Sequence, residues 1–254
     1  MPLRSSRAVP RLRYRPQRAD RLIHDRLVPV RPIARIHSSV VSPVCPSIPT
    51  PSCAQSRVSL RRELRQRRRH LTSRQQRQAA RGMVTQLLRH GALRRAQRVA
   101  LYLPADGELD PMPLVHWLQR FNISVYVPVL RPSVTPGLWF IKLTPHTRLT
   151  RNRFGLLEPV LPHHACRAHR CSAWALDIVL MPLVGFDAQG ARLGMGGGFY
   201  DRTFSRARYG ERAFKRPRLI GLAHDVQEVA ALPTEAWDVP LDMIVTGTRC
   251  LSPQ

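Results

Sequence analysis

The sequence predicts an α/β fold: three layers, with a mainly parallel sheet carrying helices on both faces, preceded by a disordered Arg- and Pro-rich extension. Three observations predict it. Short β-rich runs alternate with helical patterns over residues 82–254, the order that builds parallel sheets. Several runs, such as Leu176-Asp-Ile-Val-Leu-Met181, are apolar throughout, as strands buried on both faces are. Third, residues 1–56 hold ten Arg, nine Pro and eight Ser with no sustained period, a composition that cannot build a core. The expected division is 1–56 as extension, or as a mis-assigned start, and 57–250 as a single domain.

The elements follow in order. Leu60, Leu64 and Leu71 form one stripe of a helix surrounded by Arg. Thr72-Ser-Arg-Gln75 has the spacing of a capping box, so a second helix starts there. Its apolar face runs through Ala79, Ala80, Met83, Leu87 and Leu88, and His90-Gly91 ends it. Val99–Leu103 reads as a strand, Leu114–Leu118 as a helix after Pro111, and Ile123–Val127 as a strand before Pro128. Leu138–Leu143, Leu176–Met181, Arg218–Ala223 and Met243–Thr246 complete the strands. Ligands of such folds bind at the carboxyl ends of the strands.

Charge divides unevenly. The chain has 41 Lys+Arg against 16 Asp+Glu, a formal net charge of +25. Residues 1–56 carry +8, residues 57–81 carry +9, and residues 82–254 the remaining +8. Excess positive charge suits phosphate backbones, so an Arg-rich nucleic-acid binder is one alternative. Tyr14 is the only aromatic in residues 1–81, which serves base stacking poorly. No apolar run is long enough to span a bilayer. Five cysteines, an odd number, do not make a disulfide scaffold, and a reducing cytoplasm is the expected location.

The most informative segment is glycine-rich. Gly194, Gly196, Gly197 and Gly198 follow a buried strand and its exit loop, and Phe199-Tyr200-Asp201 begins a helix. Glycines let backbone N–H groups converge on a phosphate, and a helix start adds positive partial charge. Arg192 and Arg202 flank the loop. No Gly-Lys-Ser/Thr follows, so this is not a Walker A loop, and the dinucleotide fingerprint is also absent.

Arg192-Leu-Gly-Met-Gly-Gly-Gly-Phe-Tyr-Asp201, preceded by Pro182-Leu-Val-Gly-Phe-Asp187, resembles the signature of the 5-formyltetrahydrofolate cyclo-ligase family. Collinear pieces extend the resemblance over about residues 57–247. These are Ser59–Arg65, Leu103–Asp110, Arg153–Pro159, Gly221–Asp225 and Trp237–Asp242. Members convert 5-formyltetrahydrofolate and ATP to 5,10-methenyltetrahydrofolate, ADP and phosphate, with magnesium.

The resemblance implies roles residue by residue. Arg57 and Arg61, four apart on one helix face, bind ATP, as do Arg192, Leu193, Gly194, Met195, Gly196, Gly197, Gly198, Phe199 and Tyr200. Arg192, Tyr200 and Asp201 serve catalysis. Asp201 and Asp242 hold Mg2+. Leu103, Glu108 and Glu158 bind the folate, Glu108 through the pterin's amino and imino donors. Some members carry Arg or Lys where this chain has Met195 and Gly197. Read from the residues alone, most of these acids and arginines are ordinary solvated groups. A non-catalytic folate or nucleotide binder is a further alternative. A monomer acting on small molecules, with no nucleic-acid or membrane partner, is the expectation.

Two other constellations stand apart. His163-His-Ala-Cys-Arg-Ala-His-Arg-Cys171 packs possible zinc ligands at a spacing that fits no standard finger, and reads as a polar connector. His224-Asp225 reads as a local hydrogen-bonded pair.

Overall fold

A computed structural model describes residues 12–13, 56–131, 137–160, 170–205 and 216–253. The expectation for residues 1–56 lies outside these except at β1 (Leu12–Arg13) and Ser56. The His163, His164, Cys166 and His169 reading also lies outside the described residues.

Helix α1 (Arg57–Arg69) starts where the Ser56 hydroxyl accepts from the Ser59 N–H. It buries Leu60, Leu64 and Arg68, spaced four apart, so the apolar stripe ends in a charged group. Arg67, Arg68 and Arg69 in its last turn complement the helix dipole. Helix α2 (Ser73–Arg89) has the expected capping box from Thr72 to Gln75 and stops at His90, followed by Gly91 at φ +59°. Then come β2 (Arg98–Ala100), α3 (Met112–Arg120), β3 (Ser124–Leu130), β4 (Leu138–Lys142), β5 (Arg148–Arg151) and β6 (Leu157–Pro159). β7 (Arg170–Cys171), β8 (Ile178–Pro182), β9 (Gly185–Phe186) and β10 (Arg192–Leu193) follow, then α4 (Phe199–Phe204). β11 (Arg218–Leu222), β12 (Met243–Val245) and β13 (Cys250–Leu251) close the chain.

Eight strands form the main sheet, in the order β13-β12-β11-β8-β2-β3-β4-β7. From β12 to β3 all neighbours are parallel, and the antiparallel pairs lie toward the two edges. β3 runs on through Pro128, which the sequence suggested as its end. β2 stops at Ala100, paired with Tyr126, so Pro128 pairs only with Phe140 on β4. The missing N–H falls where β3 has lost its parallel neighbour.

One face packs on α2 and α3 through Met83, Leu87, Leu114, Leu118, Val99, Leu180 and Ile220. The other packs under α4 and the 3-10 turn Ala173–Ala175 through Phe140, Met181, Phe204 and Leu219. Helix α1 lies on neither face. Leu60 and Leu64 pack on Val184 and Leu193, so α1 sits over the chain that leaves the carboxyl end of β8. Gly82 of α2 meets Gly247 closely: a Cβ on Gly82 would stand 1.9 Å from the Gly247 carbonyl oxygen. Among the described residues no helix is long and apolar enough to cross a membrane.

Candidate active site

Strand β8 delivers the chain to the site. After Pro182 it turns into the β9–β10 hairpin, whose return strand ends at Leu193. The glycine run then crosses to α4. Gly196 has φ +95° and Gly198, the N-cap of α4, has φ +59°, conformations that L side chains rarely adopt. The loop is therefore glycine-rich for backbone reasons. At Gly197 a side chain would strike the Phe199 ring, its Cβ 2.6 Å from the nearest ring carbon.

A cleft of about 540 Å³ opens over this loop. Arg57, Arg61, Arg192, Gly194, Gly196, Gly198 and Asp201 line it, all drawn from the sequence-derived set. Arg61 donates through Nε to the Gly194 carbonyl at 2.8 Å, and its guanidinium lies over Gly196. Burial and the neighbouring Arg57 push the Arg61 pKa down. Among the described residues Arg61 forms no ion pair, so its charge is open to an anion. Arg57 makes two hydrogen bonds to Asp238, at 2.9 and 3.3 Å, and this pairing raises its pKa. Arg192 donates through Nε to the Val239 carbonyl at 2.9 Å and pairs with Asp201. The same Asp201 oxygen accepts from the Val239 N–H at 3.1 Å. Loop, helix α4 and segment 235–239 are thus tied together around two charged side chains.

A second set of residues lies beyond α4. Tyr200 is half-buried, and its pKa is raised by desolvation of the hydroxyl and by the charge of Glu108. Tyr102 donates its hydroxyl to the Leu109 carbonyl and also senses Glu108. Glu108 accepts from the Ala105 N–H at 3.1 Å and lies 3.8 Å from Arg68. Burial raises the Glu108 pKa, and the Arg68 charge opposes it. Leu103 packs on the first core cluster just upstream. The first turn of α4 therefore sends Asp201 into the cleft and Tyr200 toward Glu108.

The remaining expected residues fall elsewhere. Leu193 is fully buried beneath α1 and supports the loop without lining the cleft. Met195 is exposed, and Phe199 packs edge-on to Phe154 at 6.0 Å between centroids. Glu158 is occupied inside the β5–β6 hairpin, accepting from Asn152 at 3.2 Å and from the Leu130 N–H at 3.4 Å. Asp242 does not join Asp201. It stands before β12, at the amino end, where it pairs with Arg216 and accepts from the Leu219 N–H at 2.7 Å. The expected Asp201–Asp242 metal pair is therefore not assembled, because Asp242 is spent on closing the opposite end of the sheet. Asp225 accepts from the Thr246 and Thr248 hydroxyls, each at 2.6 Å, and these replace the expected His224 pairing.

Five cleft residues were missing from the sequence-derived set: Arg202, Ser205, Glu235, Trp237 and Asp238. Arg202 flanks the glycine run, and its place beside the loop was the available signal. Glu235, Trp237 and Asp238 come from a loop distant in sequence; Trp237 and Asp238 fall in the Trp237–Asp242 piece of the resemblance, and pairing of Asp238 with Arg57 ties that loop to α1. Magnesium needs one or two carboxylates alongside phosphate oxygens. Among the described residues no three metal-ligating side chains cluster; Asp201, Glu235 and Asp238 line the cleft, Asp201 paired with Arg192 and Asp238 with Arg57, while Asp242 lies outside it.

Comparison with known proteins is consistent in direction. The family model described as "5-formyltetrahydrofolate cyclo-ligase family" matches residues 53–247. The chain is 39% identical over 186 residues to the 5-formyltetrahydrofolate cyclo-ligase of Escherichia coli K12, covering 73% of this chain and 97% of that one. It is 40% identical over 199 residues to the Haemophilus influenzae protein of the same name, covering 76% and 98%. Among solved structures, the 5,10-methenyltetrahydrofolate synthetase of Aquifex aeolicus superposes with a TM-score of 0.62 at 26% identity, covering 78% of this chain and 93% of that chain. The glycine loop, the arginines of α1 and the coverage agree, and the chain belongs to the 5-formyltetrahydrofolate cyclo-ligase family.

Proposed function

We propose that the protein converts 5-formyltetrahydrofolate and ATP to 5,10-methenyltetrahydrofolate, ADP and phosphate. The observation that supports this most is the single cleft in which the glycine loop meets Arg57 and Arg61 of α1. Phosphoryl transfer asks the protein mainly for positioning and charge neutralisation. The formyl oxygen attacks the terminal phosphorus and ADP leaves. N10 then attacks the activated formyl carbon and gives up its proton to solvent, the ring closes, and phosphate departs with the former formyl oxygen.

In this reading the phosphates lie against Gly194–Gly198, with Arg61 and Arg192 beside them. Arg57, already paired with Asp238, contributes charge from the cleft wall. Asp201 holds Arg192 in place through their ion pair. Asp201, with Glu235 or Asp238, would hold magnesium, which supplies neutralisation of phosphate charge. Glu108 receives the pterin's amino and imino donors. Leu103 lines that pocket, and Tyr200 stands at the border between the two substrates. Asp242 and Glu158 support the frame. The free thiols among the described residues, Cys171 and Cys250, suit a reducing cytoplasm, and we take the protein to act there as a monomer.

The test is the rise in methenyltetrahydrofolate absorbance from 5-formyltetrahydrofolate, with and without ATP and magnesium. ATP-dependent turnover is expected. Folded protein without it overturns the proposal. Gly196→Trp, which places an indole where Arg61 lies over the loop at a φ of +95°, should abolish turnover, with circular dichroism checking that the variant is folded. Full turnover in that variant would move the phosphate site elsewhere.

A further inference from the structure

The cleft is lined by two chemically different kinds of group. Its arginines and glycines are fitted to phosphates. Trp237, 68% exposed, lines it as well. Scattered exposed apolar residues are ordinary. This one differs because the indole lines the cleft, and because the chain on both sides of it is fixed.

Asp238, the next residue, accepts from the Glu235 N–H at 3.0 Å and holds Arg57. Its own N–H donates to the Glu235 carbonyl at 2.9 Å, closing a tight turn. Val239 is clamped by Asp201 and Arg192. The turn that presents Trp237 is thus braced against both α1 and the phosphate loop. Leaving a large indole exposed on such a turn keeps apolar area in water, a cost that a flat aromatic ligand would remove.

We propose that Trp237 is the platform on which the nucleotide's base stacks, so that one cleft reads both base and phosphates. This rests on the ATP reading above and adds the residue that senses the base. The indole offers a broad π-face, and every nucleobase has one, so stacking supplies affinity without a hydrogen-bond code. Glu235, two residues before Trp237 and lining the same cleft, can accept from an exocyclic amino group such as that of adenine. The platform also explains how Asp238 serves two purposes. Its pairing with Arg57 sets the turn as well as the charge.

Base and phosphates are separable by probe. ATP and inorganic tripolyphosphate are each titrated into wild type, Trp237→Ala and Trp237→Phe. Trp237→Ala should weaken ATP about tenfold, with a smaller loss for Trp237→Phe. Tripolyphosphate, which has no base, should bind all three alike. ATP should quench part of the wild-type tryptophan fluorescence, and that part should vanish in Trp237→Phe. Equal ATP affinity in wild type and Trp237→Ala overturns the platform. So does an equal loss of ATP and tripolyphosphate, since Trp237 would then act on the fold or the phosphates. Failure of wild type to bind ATP overturns the ATP reading itself, a distinct outcome.

Discussion

Helix α1 uses its arginines in two opposite ways. Toward its start, Arg57 and Arg61 face the cleft. Toward its end, Arg65, Arg68 and Arg69 converge on one carboxylate, Asp106. Arg68 is 0% exposed and also donates to the carbonyls of Asp106, at 2.9 Å, and Leu183, at 3.3 Å. The back half consumes its charge in holding the Ala105–Leu109 loop, and with it Glu108. In the front half Arg57 is paired with Asp238, and Arg61 keeps its charge available for a ligand. The same residue type on the same helix is therefore structural or functional according to burial and partners. The count of +9 in residues 57–81 says nothing about which.

Three substitutions bear on that division, the largest first. Arg68→Met removes the buried guanidinium, and unfolding by denaturant should show a loss of about 3 kcal/mol. A loss below about 1 kcal/mol would mean that the loop is held by other contacts. Asp106→Asn should lose about 2 kcal/mol at neutral pH, since it weakens charged hydrogen bonds to three arginines. Its pH dependence has a definite sign. Burial pushes the Asp106 carboxyl up, but Arg65, Arg69 and Arg68 outweigh it and hold the pKa below the ordinary value. A lowered folded pKa gives stability that is present above the unfolded value, about 3.9, and lost as pH falls through the folded value. The gap between wild type and Asp106→Asn should be constant above about pH 5 and close below about pH 4. A gap that widens in acid would contradict the clamp. Arg61→Ala should do the reverse of both: about a tenfold weaker ATP affinity, with stability changed by less than about 0.5 kcal/mol.

Most of the fold was legible because it rests on local signals. The capping box at Thr72, the glycine stop at Gly91 and the apolar runs of β8 and β11 each state their structure within a few residues. The glycine loop was legible for the same reason. What sequence missed depends on long-range pairing. Asp238 and Asp242 are both acids near the start of β12, four residues apart and indistinguishable in type. Arg216 takes one and Arg57 the other, and only that decides which reaches the cleft. Arg68 looked like one more solvated arginine because its partner is 38 residues away. Glu158, in a segment resembling the family, turned out to hold its own hairpin.

The smallest expected effect is the control for the comparison. Glu63 and Arg67 form an i,i+4 pair on the outer face of α1, 2.5 Å apart, each nearly half exposed. Solvent screens such a pair, and holding two long side chains costs entropy, so its contribution is about 0.3 kcal/mol. Glu63→Ala should therefore leave both the unfolding midpoint and ATP affinity close to wild type, at low and at high salt. If Glu63→Ala instead cost as much as Asp106→Asn, charge pairing on α1 would matter regardless of burial. The division between the two ends of the helix would then be one of degree. A near-silent Glu63 beside a damaging Asp106 would show that burial sets what an arginine on this helix is worth.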